Sequence, residues 1–325
     1  MPVTARPTTL AEAFDALDER PDAQLLAGGT DFMVEVNFGH RRPSAVVALR
    51  RVTELQGYDI GDDEVVIGAG TTWTVIEREL ADVVPALAAA ARTVGSPQMR
   101  NAGAIGGNLG TGSPAGDGLP VLAAVDATVV LASRGREREL PLLEFVTGVK
   151  RTALRPGEII TRVRVPRLDG PQEFLKVGTR NAMVISICCA ALAVDRASRS
   201  VRIGMGAVAP TPVRAPEAER YIAGAIDWDS LTAPPEAVAR FGELVRSAIR
   251  PITDHRSIAA YRTHAVQVIA TRALQRSLAA PSEREGPQRE RAGGPRRKRE
   301  AFPLGPATTA VPPEERGPDR REERA

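Results

Sequence analysis

Two glycine-rich segments carry the residue types suited to a phosphorylated ligand with a flat ring. The first is Leu25-Leu26-Ala27-Gly28-Gly29-Thr30-Asp31-Phe32. An apolar run with strand character delivers the chain to two glycines, which can take φ > 0 and expose consecutive backbone N–H groups. Such a concavity binds phosphate, and a helix N-terminus after it strengthens the site. Thr30 adds a hydroxyl donor. Asp31 would repel phosphate, so its carboxylate is expected to accept from loop N–H groups or a sugar hydroxyl. Taken alone, Gly-Gly-Thr-Asp is also an ordinary turn.

The second segment runs from Arg100 to Asp117 and holds six glycines among Asn, Thr, Ser and Asp. Its setting, Gly95 to Gly118, is expected to be one long loop, and loops of that length inside compact domains are usually functional or disordered. Ile105 and Leu109 argue against disorder. Glycines let a flat ring approach the backbone, Asn108 and Thr111 offer hydrogen bonds, and Asp117 could take a ribose hydroxyl. Neither segment is a Rossmann fingerprint: Gly68-Ala69-Gly70 begins like one, but Trp73 stands where the third glycine belongs. No P-loop sequence is present. Two different glycine segments, about seventy residues apart, suggest a ligand held between two subdomains.

Other reactive residue types point away from independent catalysis. His40, His255 and His264 are scattered without paired ligand spacing, so no metal site is expected. Cys188 and Cys189 are neighbours, too strained to bridge. Two cysteines also cannot supply the four thiolates of a usual iron–sulfur cluster. They read as buried free thiols in a reduced compartment. No Ser-His-Asp or paired-carboxylate arrangement is evident, so no catalytic residue is assigned. Trp73 and Trp228 read as core or interface residues, and Arg250, Arg256 and Arg262 as salt-bridge or helix-surface residues.

The elements that would position these segments follow from the pattern. Thr9-Leu10-Ala11-Glu12 fits a capping box, with Leu10, Phe14 and Leu17 on one helical face. A strand at 24–27, the first glycine segment and a strand at 45–49 make a small β-α-β unit. Strands at 64–69, 128–131 and 158–165 are expected around helices at 72–80, 85–94 and 119–125. A third region has strands at 174–177, 185–194 and 201–208, then helices at 216–223, 235–249 and 255–278. The expected division is 1–57 and 58–168 for two subdomains, 169–279 for a C-terminal α+β domain, and 280–325 for a disordered tail. The tail segment 281–325 holds eight of the 26 prolines and dense charge, too little apolar surface to offset chain entropy.

Composition excludes some classes. The 325 residues are 43% hydrophobic and 26% charged, as in ordinary globular proteins. Aromatics are 4%, which disfavours a base-stacking nucleic-acid surface. The net charge is +3. Of this, +2 falls in 281–325, where eleven Lys/Arg face nine Asp/Glu. Arg296 to Arg299 therefore reads as part of a solvated tail. No stretch reaches the ~18 apolar residues of a membrane span, and the N-terminus has no apolar signal core. A cytoplasmic protein is expected.

With both glycine segments in view, the chain resembles the FAD-binding subunits of the xanthine dehydrogenase and carbon monoxide dehydrogenase family. The resemblance covers about residues 5–278. It is carried by LLAGGTDF (25–32), VGSPQMRNAGAIGGNLGTGSPAGD (94–117), GEIITRVRVP (157–166) and PITDHRSIAAYRTHAVQVIATRAL (251–274). It implies an α+β chain: a two-subdomain FAD-binding fold of the vanillyl-alcohol oxidase/molybdopterin dehydrogenase type, then a small C-terminal domain, with no cap over the flavin. It implies non-covalent FAD, with molybdenum cofactor and [2Fe–2S] clusters in a large and a small partner subunit. NAD or another acceptor would receive the electrons. By position, Leu25 to Phe32 match the first flavin segment, with Gly28, Gly29 and Thr30 at the pyrophosphate. Val94, Asn108, Thr111 and Asp117 match contacts around the second. Ile105, Gly106 and Gly107 would pass close to the ring, Ile160 would meet the adenine side, and Lys176 would lie near the isoalloxazine. A lysine there would favour the reduced, anionic ring. Ala104 departs from the Ser or Thr common in the family, so one hydroxyl contact is lost. The segment Val177–Ser186, which should cover the acceptor face, is lightly charged and has no aromatic residue. A self-contained flavin oxidase of the vanillyl-alcohol oxidase class is the alternative.

Overall fold

The computed structural model describes residues 3–278; the expected disordered tail at 280–325 lies outside them. The chain begins with β1 (Val3–Ala5), α1 (Leu10–Glu19), β2 (Gln24–Leu26), α2 (Phe32–Asn37) and β3 (Ala45–Ala48). Thr9 caps α1, its hydroxyl accepting the Glu12 N–H at 3.2 Å. The reciprocal bond of the capping box is shifted by one residue, since Glu12 accepts from the Thr8 N–H at 2.6 Å. The three strands lie in the order β1-β3-β2, all parallel. Parallel strands need a crossover, and α2 supplies it between β2 and β3. The chain therefore leaves the C-terminal end of β2 directly into Gly28-Gly29, where ligands lie in parallel α/β sheets.

Next come β4 (Tyr58–Ile60), β5 (Glu64–Gly68), α3 (Trp73–Glu79), α4 (Pro85–Thr93), α5 (Pro97–Ala102), α6 (Ile105–Thr111) and α7 (Gly118–Ala124). They are followed by β6 (Thr128–Ser133), β7 (Arg136–Pro141), α8 (Leu142–Phe145), β8 (Val146–Gly148), β9 (Arg151–Thr152) and β10 (Ile159–Pro166). Five strands form an antiparallel sheet, β4-β5-β10-β6-β7, and β8 pairs only with β9.

The segment expected as one long loop, Gly95 to Gly118, is instead largely helical. Ser96 caps α5 by accepting the Met99 N–H at 3.3 Å, and Pro97 occupies its first turn. In α6, Ile105 and Leu109 stand four residues apart and are fully buried. That burial outweighs the poor helix propensity of Gly106, Gly107 and Gly110. Gly112 ends α6 at φ +55°, the left-handed cap that glycine permits.

The last part has β11 (Gln172–Val177), β12 (Cys188–Asp195), β13 (Ser200–Gly206) and β14 (Val213–Arg214) in one antiparallel sheet of that order. Helices α9 (Pro216–Ala225), α10 (Pro235–Ser247) and α11 (Ala259–Leu278) follow. α11 begins four residues later than expected. The preceding turn is held by Asp254, whose carboxylate accepts the N–H groups of Arg256 and Ser257 at 2.9 and 3.2 Å.

β12 is buried along its whole length. Its alternating side chains serve two cores. Cys189, Ala191 and Ala193 face the core shared with the first two sheets, while Cys188, Ala190, Leu192 and Val194 face the helices of the C-terminal part. Gly204 on β13 lets α7 close in, because a Cβ there would collide with the Pro120 carbonyl. No helix among the described residues is long and apolar enough to cross a membrane.

Candidate functional site

The turn after β2 is built to meet an anion. Among the described residues, no protein acceptor takes the backbone N–H groups of Gly28, Gly29, Thr30 or Asp31. Four consecutive donors without acceptors make the concavity expected of a phosphate nest. Gly29 has φ +74°, a left-handed conformation that lets successive N–H groups converge on one concavity. Gly28 is required by packing, since a Cβ there would run into the Ala102 carbonyl and lie 2.8 Å from the Gly103 Cα. The two glycine segments thus touch backbone to backbone.

The second segment is hung on the end of β5. Trp73 N–H donates to the Gly103 carbonyl at 3.1 Å, Ile105 N–H to Thr71 at 3.1 Å, and Gly106 N–H to Ala69 at 2.8 Å. A Cβ on Gly106 would lie 2.6 Å from the Ala69 Cβ, so α6 is pressed against β5. Gly107 faces Ala27, and Gly110 faces Ile160 on β10, at 3.5 and 3.7 Å from their respective Cβ positions. Asn108 lies beside Gly116 and Gly118, and its Oδ1 is buried without a hydrogen-bond donor. An orphaned buried oxygen costs about 1–3 kcal/mol unless a ligand or water satisfies it. These features fit a dinucleotide cofactor lying along α6.

At the far end, Asp117 heads α7 and is nearly buried. Its carboxylate accepts from Lys176 Nζ at 2.5 Å, Ser186 Oγ at 2.6 Å and Thr93 Oγ1 at 3.0 Å. Lys176 also donates to the Thr93 carbonyl at 3.3 Å. Lys176, expected as a positive charge near the isoalloxazine, is thus paired with Asp117. Three of the carboxylate's roughly four acceptor positions are taken, which leaves one for a ligand hydroxyl. Thr93 and Lys176 also line a cleft of about 970 Å³ with Arg92, Arg100, Arg180 and Met183. Val94, the C-cap of α4, stands at its edge.

Asp31 finds a different partner from the loop N–H groups expected for it. Its carboxylate is 3.6 Å from Lys150 Nζ, which also meets Glu35 at 2.5 Å. The Lys150 hydrogen bond holds the Glu35 carboxyl below its usual range, against the opposing effect of burial. Burial alone would lower the Lys150 ammonium, but Glu35 and Asp31 outweigh it and raise it. The Lys150 N–H donates to the Gly112 carbonyl at 3.1 Å, so this lysine ties α2 to the end of α6.

The site thus joins Ala27, Gly28 and Thr30 to Gly103–Gly107, Gly110 to Ile160, and Asp117 to Lys176. Thr93, Lys150 and Ser186 were not singled out in the sequence. For Lys150 a signal existed: only three of the 43 basic residues are lysine. Both lysines among the described residues lie at this site. Trp73, which packs against Gly103 and Gly118, is core, as expected, at 2% exposure. Arg262, expected as a salt-bridge or helix-surface residue, pairs with Asp254 at 2.7 Å and is fully interior. Both cysteines are free and buried; burial pushes Cys188 up to about 12 and raises Cys189 as well.

Fold and site together define a two-part nucleotide-binding unit followed by a helix-backed sheet domain. Residues 3–168 match the family described as the FAD binding domain in molybdopterin dehydrogenase, and residues 173–277 the CO dehydrogenase flavoprotein C-terminal domain. The chain is 37% identical over 232 residues to the nicotinate dehydrogenase FAD-subunit of Eubacterium barkeri, covering 67% of this chain and 78% of that one. It is 31% identical over 287 residues to the xanthine dehydrogenase FAD-binding subunit of Escherichia coli O157:H7, covering 85% and 95%. A chain of the reconstituted CO dehydrogenase from Oligotropha carboxidovorans superposes with a TM-score of 0.79 at 28% identity, covering 86% of this chain and 98% of that one. The chain belongs to the FAD-binding subunits of the molybdopterin dehydrogenase family, and is an oxidoreductase component with FAD as its cofactor.

Proposed function

We propose that this chain holds one FAD along α6 and is the electron-transfer subunit of a molybdenum hydroxylase complex. The observation that carries the reading is the run of acceptor-less N–H groups from Gly28 to Asp31, seated against the backbone of Ala102 and Gly103. Gly28, Gly29 and Thr30 take the pyrophosphate, flanked by Leu25, Leu26, Ala27 and Phe32. Ile160 takes the adenine side. Ala104, Ile105, Gly106 and Gly107 run beside the isoalloxazine, with Asn108 and Thr111 as hydrogen-bonding partners. Val94, Asp117 and Lys176 hold the end next to the wide cleft.

When bound, FAD supplies the electron-carrying chemistry. The residues of this chain bind it, fix its orientation and keep water from its buried edge. No acid, base or nucleophile is needed for that task. The partners are a molybdenum-binding large subunit, where substrate is oxidised, and a [2Fe–2S] small subunit that delivers the electrons. NAD or another small acceptor approaches by the cleft between α4 and the 178–184 segment. A cytoplasmic location agrees with two buried thiols left free side by side.

Reconstitution tests the reading. The large and small subunits, mixed with this chain, should pass electrons from substrate to an acceptor. Without it they should not. Turnover of an organic alcohol or amine by this chain alone, at ordinary enzymatic rates, would favour a self-contained flavin oxidase.

A further inference from the structure

Arg262 lies on α11, in the C-terminal domain, with its side chain 2% exposed. Its guanidinium donates to three oxygens from three separate segments. Nη1 meets the carbonyls of Ile187 at 2.5 Å and Ala207 at 2.9 Å, and Nη2 meets Asp254 Oδ1 at 2.7 Å. Each carbonyl belongs to a residue with a second tie leading toward the flavin site. Ile187 follows Ser186, whose hydroxyl donates to Asp117 at 2.6 Å. The Ile187 N–H donates to the Val177 carbonyl, one residue beyond Lys176, at 2.8 Å. Ala207 N–H donates to the Pro114 carbonyl at 2.7 Å, on the stretch that leads into Asp117.

Ala207 also has φ +61°, a left-handed conformation disfavoured for a residue with a side chain. Such a backbone persists only where its surroundings over-determine it. The Arg262 bond to its carbonyl and the Pro114 bond from its N–H do so. Asp254 is itself fixed by the N–H groups of Arg256 and Ser257. Burial opposes its charge, but those bonds and Arg262 hold its carboxyl down at about 2. The guanidinium is thus anchored at its rear by an ionised carboxylate while its front orders two peptides.

We propose that Arg262 is a positioning residue for the flavin site, setting the Asp117 carboxylate through Ser186–Ile187 on one side and Ala207–Pro114 on the other. The proposal rests on the assignment of FAD to this site. A lysine cannot replace Arg262, because a single ammonium lacks the planar fork that reaches three oxygens at once.

The test uses the full chain and FAD itself. Affinity is read by titration of flavin fluorescence, and ring environment by visible circular dichroism. Arg262→Lys and Arg262→Met should each weaken FAD at least tenfold and change the visible dichroism. Val266→Ala, one turn further along α11 and fully buried, is the control for lost stability alone. It should leave both readouts within twofold of the unmodified chain. Ser186→Ala removes only the last link, and should reproduce the dichroism change with little loss of thermal stability. It keeps the test open if the Arg262 variants fail to fold. Unmodified dichroism and affinity in Ser186→Ala or Arg262→Lys would overturn the proposal, as would an equal change in Val266→Ala. An unmodified chain that binds no FAD would sink the functional assignment instead.

Discussion

Asp117, at the head of α7, and Lys176, in β11, meet at 2.5 Å with side chains 6% and 10% exposed. The pair bridges the FAD-binding part and the C-terminal sheet. Two charges taken out of water are costly, and removing one strands the other. Lys176→Met and Asp117→Ala should each lose about 3–5 kcal/mol of stability in chemical denaturation. The double variant should lose less than the sum, since neither charge is then stranded. Additive losses would show that the two residues do not act as a pair.

Gly28 and Gly29 should fail for different reasons. At Gly28 an added Cβ meets the Ala102 carbonyl, which belongs to backbone and cannot swing away. At Gly29 the nearest atoms are Leu26 Cδ1 and Met33 Cγ, both at 3.5 Å, so the cost is strain at φ +74° rather than collision. That strain is about 1–3 kcal/mol. Gly28→Ala should therefore lose more flavin than Gly29→Ala, and Gly29→Val should lose most of it. The ratio of visible to ultraviolet absorbance after desalting measures this. Equal flavin content in Gly28→Ala and the unmodified chain would refute the backbone contact.

FAD should leave the protein without bond cleavage. His40 stacks on Phe38, with ring centroids 6.1 Å apart, beyond the end of α2 rather than in the glycine turn. His255 and His264 belong to the C-terminal part. Acid precipitation should put all the flavin in the supernatant, where it should run as FAD. Flavin retained in the pellet would contradict this.

The sequence made the ends of the site visible and hid its middle. Gly28-Gly29 is legible because a strand running into two glycines has few uses. Asp117 and Lys176 were each legible by resemblance, but not as a pair. They are 59 residues apart, and they meet only through tertiary structure, where the antiparallel register of β11 with β12 sets Lys176 opposite Cys189. The helix α6 was hidden for a physical reason. Local propensity, which sequence patterns report, is poor across Gly106, Gly107 and Gly110. The burial of Ile105 and Leu109 that overrides it is tertiary. The salt bridge of Arg262 was expected, but its interior position was hidden for the same reason. Nothing local marks an arginine that points inward to carbonyls from two distant turns. The alternation in β12 was masked too, because a strand buried on both faces reads as a continuous apolar run.

Glu158 gives the acid limb of the stability profile. It sits immediately before β10, two residues ahead of Ile160, and Arg138 of β7 grips it with both ends. Nε meets Oε1 at 2.7 Å and Nη2 meets Oε2 at 2.8 Å. The Arg155 N–H adds a third bond at 2.8 Å. The Arg138 bonds hold the Glu158 carboxyl below 4.5, against burial, with help from the Arg155 N–H. A carboxyl lowered in the folded state stabilises above its unfolded value, and loses that contribution as pH falls through its folded value. Glu158→Gln keeps the shape and removes the charge. At pH near 7 it should cost about 1.5–3 kcal/mol, the range for hydrogen bonds to a charged group. The gap between the two proteins should stay full down to about the unfolded value of 4.5. Below that it should close, because the native carboxyl then protonates as well. Thermal unfolding of both proteins across this range reads the gap directly. A gap that held constant into strong acid would mean that Arg138 and Glu158 contribute packing rather than charge.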